Sequence, residues 1–471
     1  MRDLVIVLGV MAMLPFILKR PFIGVLVWTW IAILNPHREA FGFSVSLRLN
    51  LVIVLVTLIA FAASPERKQW PGGKIAALFV GFIAWTTLAS LLAVDRPSSF
   101  QFWFDFVIKM AIHMILAMIL ITSRHRLMAL VWTYALSLGY HATKIALVTI
   151  YSGGSIGQLA GFGPSGTMIE DRNHFALAMA LLTPILFFIW RRAEHKLLRI
   201  GALMLIAAAI LAVIGSQSRG GFVTMALVLG YLWTKTRLKW LTAGLVVVGA
   251  LGIFAALPPE LKERLGTITA QLDKGEDRYA NEAPELDESF CLRLAAWHVG
   301  WDMTMDSPVW GSGLRSIQSP IAATPYLSPD HPCADSPKYG VRAAHNIYVE
   351  VLSDSGFVGL GIFLTLLAGS WLLCLSVMVR ARRIPGMEWA ADLASMVQVG
   401  LIAYAAGGVL LSLAYYDGYF LLIVMVVCAD RLLREAEGRA PARRALPDET
   451  PPGPREMRRR RKAPAARPLR A

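Results

Sequence analysis

His345 is the residue in this chain best placed to do chemistry. It stands where a long polar loop gives way to an apolar helix, in RAAHNIYVEVLSDSGFVGLGIF, residues 342–363. A neutral imidazole with an ordinary pKa of ~6.5 takes up a proton near pH 7, which suits a general base. A histidine that merely starts a helix at a membrane interface would occupy the same place, and position alone leaves the two readings even. Arginines supply the complementary charge. Arg219 lies in GSQSRGGF, between two apolar runs, with Gly220 and Gly221 leaving the backbone approachable. The serine turn, the cation and the glycines favour an anion site over a snorkelling side chain. Arg172 and Asn173, in IEDRNHFALAMALLTP, open another run whose free N–H groups add positive character. An ordinary N-cap by Asp171 or Asn173 explains that stretch equally well.

Three further side chains need placing. Lys144 lies inside an apolar run without an acidic partner in that run, so it reads as a site cation or as a snorkelling lysine. Lys109 follows Asp105 by four residues, and the two neutralise each other along one helix face. Arg293 flanks Leu292, Ala295, Ala296 and Val299, which recur at helical spacing within the polar loop. An amphipathic helix there turns Arg293 either to the same anion as Arg219 or to solvent. His298 on that helix has nothing acidic spaced to orient it.

The elements that position these residues follow from composition. The chain has 471 residues, 56% hydrophobic and 17% charged, with 14 Trp and a mean hydropathy of +0.54. That is too apolar for a soluble multidomain protein and predicts an all-α, polytopic helical membrane protein. Thirteen apolar runs lie between residues 4 and 433, among them one at 240–257, so about 12–13 transmembrane helices are expected. The first two runs, 4–18 and 21–34, are short enough to be a shallow hairpin. The division is 1–257, N-terminal transmembrane helices; 258–344, a large extracytoplasmic loop with the amphipathic helix; 345–435, C-terminal transmembrane helices; and 436–471, a disordered basic tail. No signal peptide is evident in MRDLVIV.

Charge sets the expected orientation. Short loops after odd-numbered runs carry seventeen Lys/Arg, and the opposite side carries only Arg2, Arg38, Arg48, Arg96, Arg172 and Arg219. By the positive-inside rule the N-terminus and the long loop face outward and the C-terminus lies in the cytoplasm. The net charge of +14 does not imply nucleic acid, because residues 436–471 alone hold 11 Lys/Arg against 4 Asp/Glu. That tail serves as a topological anchor or as a contact for anionic membrane lipids. Cys291 and Cys333 share the loop and could pair in an oxidising compartment, but two free thiols are the favoured reading.

These motifs resemble the O-antigen ligase and O-antigen polymerase superfamily, and especially O-glycosylation ligases of the exosortase A-associated type. His345 and Asn346, followed by Gly356 and Gly359, match the ligase signature of His-Asn, nine residues, Gly, two residues, Gly. The SQSRGG turn is similar to the one carrying the family's outward arginine, here Arg219, and RLAAW before PVWGSGL is similar to the stretch carrying the second, here Arg293. The resemblance implies a helical glycosyltransferase in a bacterial inner membrane with its active site facing the periplasm. It implies an undecaprenyl-diphosphate-linked glycan as donor and a hydroxyl on a surface protein or lipid A core as acceptor. Arg219 and Arg293 would hold the diphosphate, His345 would take the acceptor proton, and Arg172, Asn173, Lys144 and Asn346 are expected to help bind substrate.

That chemistry needs no cofactor and no metal. The chain has no Asp-x-Asp pair for a metal-bound nucleotide sugar and no GxxxxGK[ST] loop for ATP. A polymerase of the same superfamily, using a second lipid-linked glycan as acceptor, stays open, as does a lipid-linked glycan flippase. Gly163-Pro164-Ser165-Gly166 matches a rhomboid-type GxSG but lies in a loop rather than a span.

Overall fold

Apolar runs bounded by Gly, Pro, Asp and Ser fold as helices wherever they are described, because a membrane leaves backbone N–H and C=O groups no solvent partner. The computed structural model describes residues 2–40, 42–66, 68–152, 162–234 and 288–439. In order the helices are α1 (Arg2–Lys19), α2 (Pro21–Leu34), α3 (Leu49–Ala63), α4 (Lys74–Leu91), α5 (Arg96–Phe102), α6 (Ile108–Leu120), α7 (Arg124–Tyr151), α8 (Arg172–Arg192), α9 (Lys196–Ser216) and α10 (Arg219–Thr234). After them come α11 (Glu288–Asp306), α12 (Ile347–Ala381), α13 (Glu388–Gly407) and α14 (Asp417–Arg439). A π-helical turn, Trp103–Val107, joins α5 to α6. No strand forms among the described residues. The expected span at 240–257, the acidic first part of the loop and the basic tail lie outside them.

The chain is an all-α polytopic membrane protein. Among the described residues, six helical stretches are long and apolar enough to cross a membrane: 74–91, 96–120, 172–192, 196–216, 347–381 and 388–410. Helices α2 and α3 are apolar but have only 14 and 15 residues. The innermost element is α14, where residues 419–429 are buried without a break. It packs against α6, α7, α12 and α13.

The two ends of the bundle differ in charge. At one end Arg380 binds Asp430 and Glu437 at 2.7 and 2.6 Å, Arg126 binds Glu66 at 2.9 Å, and Arg192 pairs with Asp392. The other end gathers the connections at 35–48, 92–95, 217–218, 307–346 and 411–416. There α11 and the chain after it form a small lobe, in which Ala296, Val299 and Met303 pack on Ile317, Ala322, Ala323 and Ala344. This is the amphipathic helix expected from Leu292, Ala295, Ala296 and Val299, all of which are buried. Cys291 and Cys333 form a disulfide with a Cα–Cα distance of 6.1 Å. The favoured reading of two free thiols is therefore corrected: α11 brings Cys291 beside a turn 42 residues downstream, a proximity that spacing does not reveal.

Candidate active site

Three helix N-termini meet at the lobe end, and each is capped by a short polar side chain. Asp171 accepts from the N–H groups of Asn173 and His174 at the start of α8. Ser218 Oγ accepts from Gly221 N–H at the start of α10. Asn346 Oδ1 accepts from Tyr348 and Val349 N–H, at 2.9 and 3.3 Å, at the start of α12. A hydrogen bond of 2.8 Å from Ser218 Oγ to Asn173 Oδ1 ties α10 to α8. Gly221 permits this approach, since a Cβ there would overlap Ala176. Converging N-termini give the site a positive field before any side chain is counted.

His345 lies immediately before the Asn346 cap. Its backbone is left-handed, with φ +48°, and its N–H donates to Ser412 Oγ at 2.8 Å. Trp297 of α11 donates to the carbonyl of the preceding Ala344 at 2.8 Å, which sets the lobe helix against this turn. Burial pushes the imidazole down to about 4; Arg293, His174 and Arg342 push the same way, against Asp171. His345 is thus neutral at physiological pH, the form a base requires. Burial raises the Asp171 carboxyl, but His174 and the capping N–H groups outweigh it and hold Asp171 below the usual range.

Backbone strain gathers here as well. The non-glycine residues with positive φ among those described are Asn35, Gln217, Arg315 and His345. Gln217 leads into the Arg219 turn, so three of the four sit in or beside the site's loops. Such conformations cost of order 1–3 kcal/mol each and persist where the surroundings impose them.

The signature glycines have a structural meaning. Helix α12 breaks at Gly356, with φ 68° and ψ −173°. The break frees the carbonyls of Ser353, Asp354 and Ser355, which accept from Ser312 N–H at 2.8 Å, Gly313 N–H at 3.0 Å and the Trp85 indole at 2.9 Å. Phe357 N–H in turn donates to Pro308 at 2.8 Å. Gly359 faces Trp85, whose Cδ1 would lie 3.1 Å from an added Cβ. Gly356 therefore docks the loop on α12, and Gly359 leaves room for Trp85 of α4 beside it.

The expected site residues fare differently. Arg219 is exposed at the first position of α10, and Arg172 is exposed at the first position of α8. Asn173 and Asn346 are committed to Ser218 and to helix capping. Lys144 has an acidic partner outside its own run: its Nζ is 2.6 Å from Glu39 Oε2, on the α2–α3 connection. Lys109 pairs with Asp105 at 3.2 Å as expected. Ser165 donates its hydroxyl to Glu170 at 3.1 Å, a loop contact with no catalytic partner.

Sequence reasoning overlooked two buried carboxylates. Glu350 accepts from Ala414 N–H at 3.1 Å and Asp354 from the Tyr415 hydroxyl at 3.1 Å. Together they clamp residues 411–416 onto α12, which puts Ser412 beneath His345. Two acids four residues apart at the start of an apolar run were the available signal.

Residues 203–364 match the family model described as O-Antigen ligase. Residues 1–194 match one described as a family of unknown function (DUF5935). The first match takes in Arg219, Arg293 and His345, and the second contributes Asp171 and His174, so the site is built from both. Comparison with curated proteins returned no match.

Proposed function

The chain belongs to the O-antigen ligase superfamily, and from that premise we propose that it moves a glycan from an undecaprenyl-diphosphate carrier to an acceptor hydroxyl. The superfamily accounts for membrane glycosyltransferase activity of the ligase or polymerase type, with lipid-linked glycan and membrane lipids as partners. The observation that carries the finer reading is a neutral His345 among converging helix N-termini, with Arg293 beside it. Such a site offers a base next to a place for an anion.

In the proposed reaction the acceptor O–H gives its proton to His345, and its oxygen attacks the anomeric carbon. The bond from that carbon to the phosphate oxygen breaks, and its electron pair leaves on the diphosphate. Arg219, Arg293 and the helix N-termini receive that charge, without a metal ion. Direct displacement inverts the anomeric centre. In this reading a surface protein or lipid A core presents the acceptor hydroxyl.

The reaction faces the periplasm of a bacterial inner membrane in this reading, with the C-terminus cytoplasmic. The basic opposite end and the disulfide in the lobe both support that orientation. A cytoplasm-active reporter fused after Arg383 is expected to be active, and one inserted near Ala283 silent. The reverse pattern would place the site on the wrong side of the membrane.

Arg219→Lys and Arg293→Lys keep the charge but lose the planar fork, so each is expected to lower transfer roughly tenfold. Unchanged rates in both would reduce these arginines to interfacial anchors. The reaction itself is tested by incubating the purified chain with a prenyl-diphosphate glycan and candidate acceptors, then weighing the products. Transfer to protein or lipid A core supports a ligase, glycan lengthening on the carrier supports a polymerase, and carrier movement without new bonds supports a flippase.

A further inference from the structure

Arg315 lies in the loop between α11 and α12, in GSGLRSI, a stretch in which no residue has yet been given a chemical role. Its neighbours are fixed on both sides. Ser312 and Gly313 N–H donate to the carbonyls that the Gly356 break exposes, and Leu314 N–H donates to Ser99 Oγ at 2.8 Å. Ser319 Oγ donates to Asp95 Oδ2 at 2.6 Å. Leu314 and Ser316 are buried, whereas Arg315 between them is exposed and left-handed, with φ +57°.

The guanidinium rests over the Phe102 ring, 4.4 Å from its centroid. Phe102 packs edge-on against Tyr415, at 5.8 Å, and Tyr415 holds Asp354. Arg315 makes no ion pair within 4 Å among the described residues, although its charge reaches His174, Glu350 and Asp354. Beyond Phe102, the rings of Phe100 and Phe104 on α5 and the adjoining π turn stand exposed. A long cation held in a left-handed turn on a rigid loop costs ordering free energy that one cation–π contact only partly offsets.

We propose that Arg315 is a third arginine for the diphosphate of the prenyl-linked donor, placed between the His345 turn and the exposed aromatic face of α5. This rests on the donor proposed above. The planar guanidinium stacks on Phe102 with one face and keeps its N–H edge for phosphate oxygens. Arg315 would then act in binding, leaving the base to His345.

The test measures binding of farnesyl diphosphate, inorganic pyrophosphate and farnesol to the purified full chain, alongside donor kinetics. Arg315→Gln is expected to weaken farnesyl diphosphate and pyrophosphate roughly tenfold and leave farnesol unchanged. Arg315→Lys should recover part of the loss. The donor KM should rise by a similar factor while kcat moves little. Farnesyl diphosphate binding as in wild type, or an equal loss for farnesol, would overturn the role of Arg315 and leave the proposed function standing. A wild-type chain that binds no prenyl diphosphate would remove the donor, and Arg315 with it.

Discussion

Replacing His345 with alanine is expected to cut kcat for glycan transfer by about 10²–10⁴-fold, the usual contribution of a positioned base. That corresponds to about 3 to 5 kcal/mol of transition-state stabilisation. Donor binding should survive, because the diphosphate is held by arginines and helix N-termini. His345→Gln keeps a polar side chain but cannot serve as a base near pH 7, so it should fail like alanine. The backbone bond from His345 N–H to Ser412 persists in both variants, which keeps the turn in place. Single-turnover rates with saturating donor check this. A glutamine variant at the wild-type rate would make His345 a residue that only starts a helix.

Gly356→Ala is expected to cost the fold about 3 kcal/mol or more, from two sources. A side chain at φ 68° and ψ −173° is strained on its own. Its Cβ would also lie 2.5 Å from the carbonyl oxygen of Val309 and 2.6 Å from that of Pro308. Neither carbonyl can withdraw without tearing the loop from α12. Gly359→Ala should be milder, because its backbone is not left-handed and the added Cβ meets the Ser355 side chain of its own helix rather than the carbonyls of the loop. Thermal unfolding of the solubilised chain measures both, and equal effects would refute the docking role given to Gly356.

The helices were legible because hydropathy is local: a run of apolar residues between polar stops is a helix whatever it packs against. His345 was legible for a related reason, since it marks a change from polar to apolar chain. What sequence could not show is partnership across distance. Lys144 reads as unpaired because Glu39 lies 105 residues away in another connection. Cys291 and Cys333 read as free thiols because their pairing depends on how α11 lies. Gly356 and Gly359 read as parts of a signature, while in the fold Gly356 lets the 308–313 loop dock on α12 and Gly359 makes room for Trp85 of α4. Arg315 was passed over because nothing in GSGLRSI announces that Phe102, more than 200 residues earlier, supports its guanidinium. The buried acids Glu350 and Asp354 were written into an apolar helix, although charges at that depth require partners.

The pH dependence of glycan transfer tests the base most directly. Burial and Arg293 hold the His345 imidazole near 4 in the free protein, so the base form is lost only as pH falls toward that value. Bound diphosphate adds negative charge beside the imidazole and raises its pKa. Wild-type kcat/KM should therefore stay level from neutral pH down to about pH 5 and then fall, and kcat should begin to fall at a higher pH. His345→Gln should be slow and level over the same range. A wild-type rate that stays level through pH 4, or a glutamine variant that follows the wild-type curve at the wild-type rate, would contradict general-base catalysis by His345.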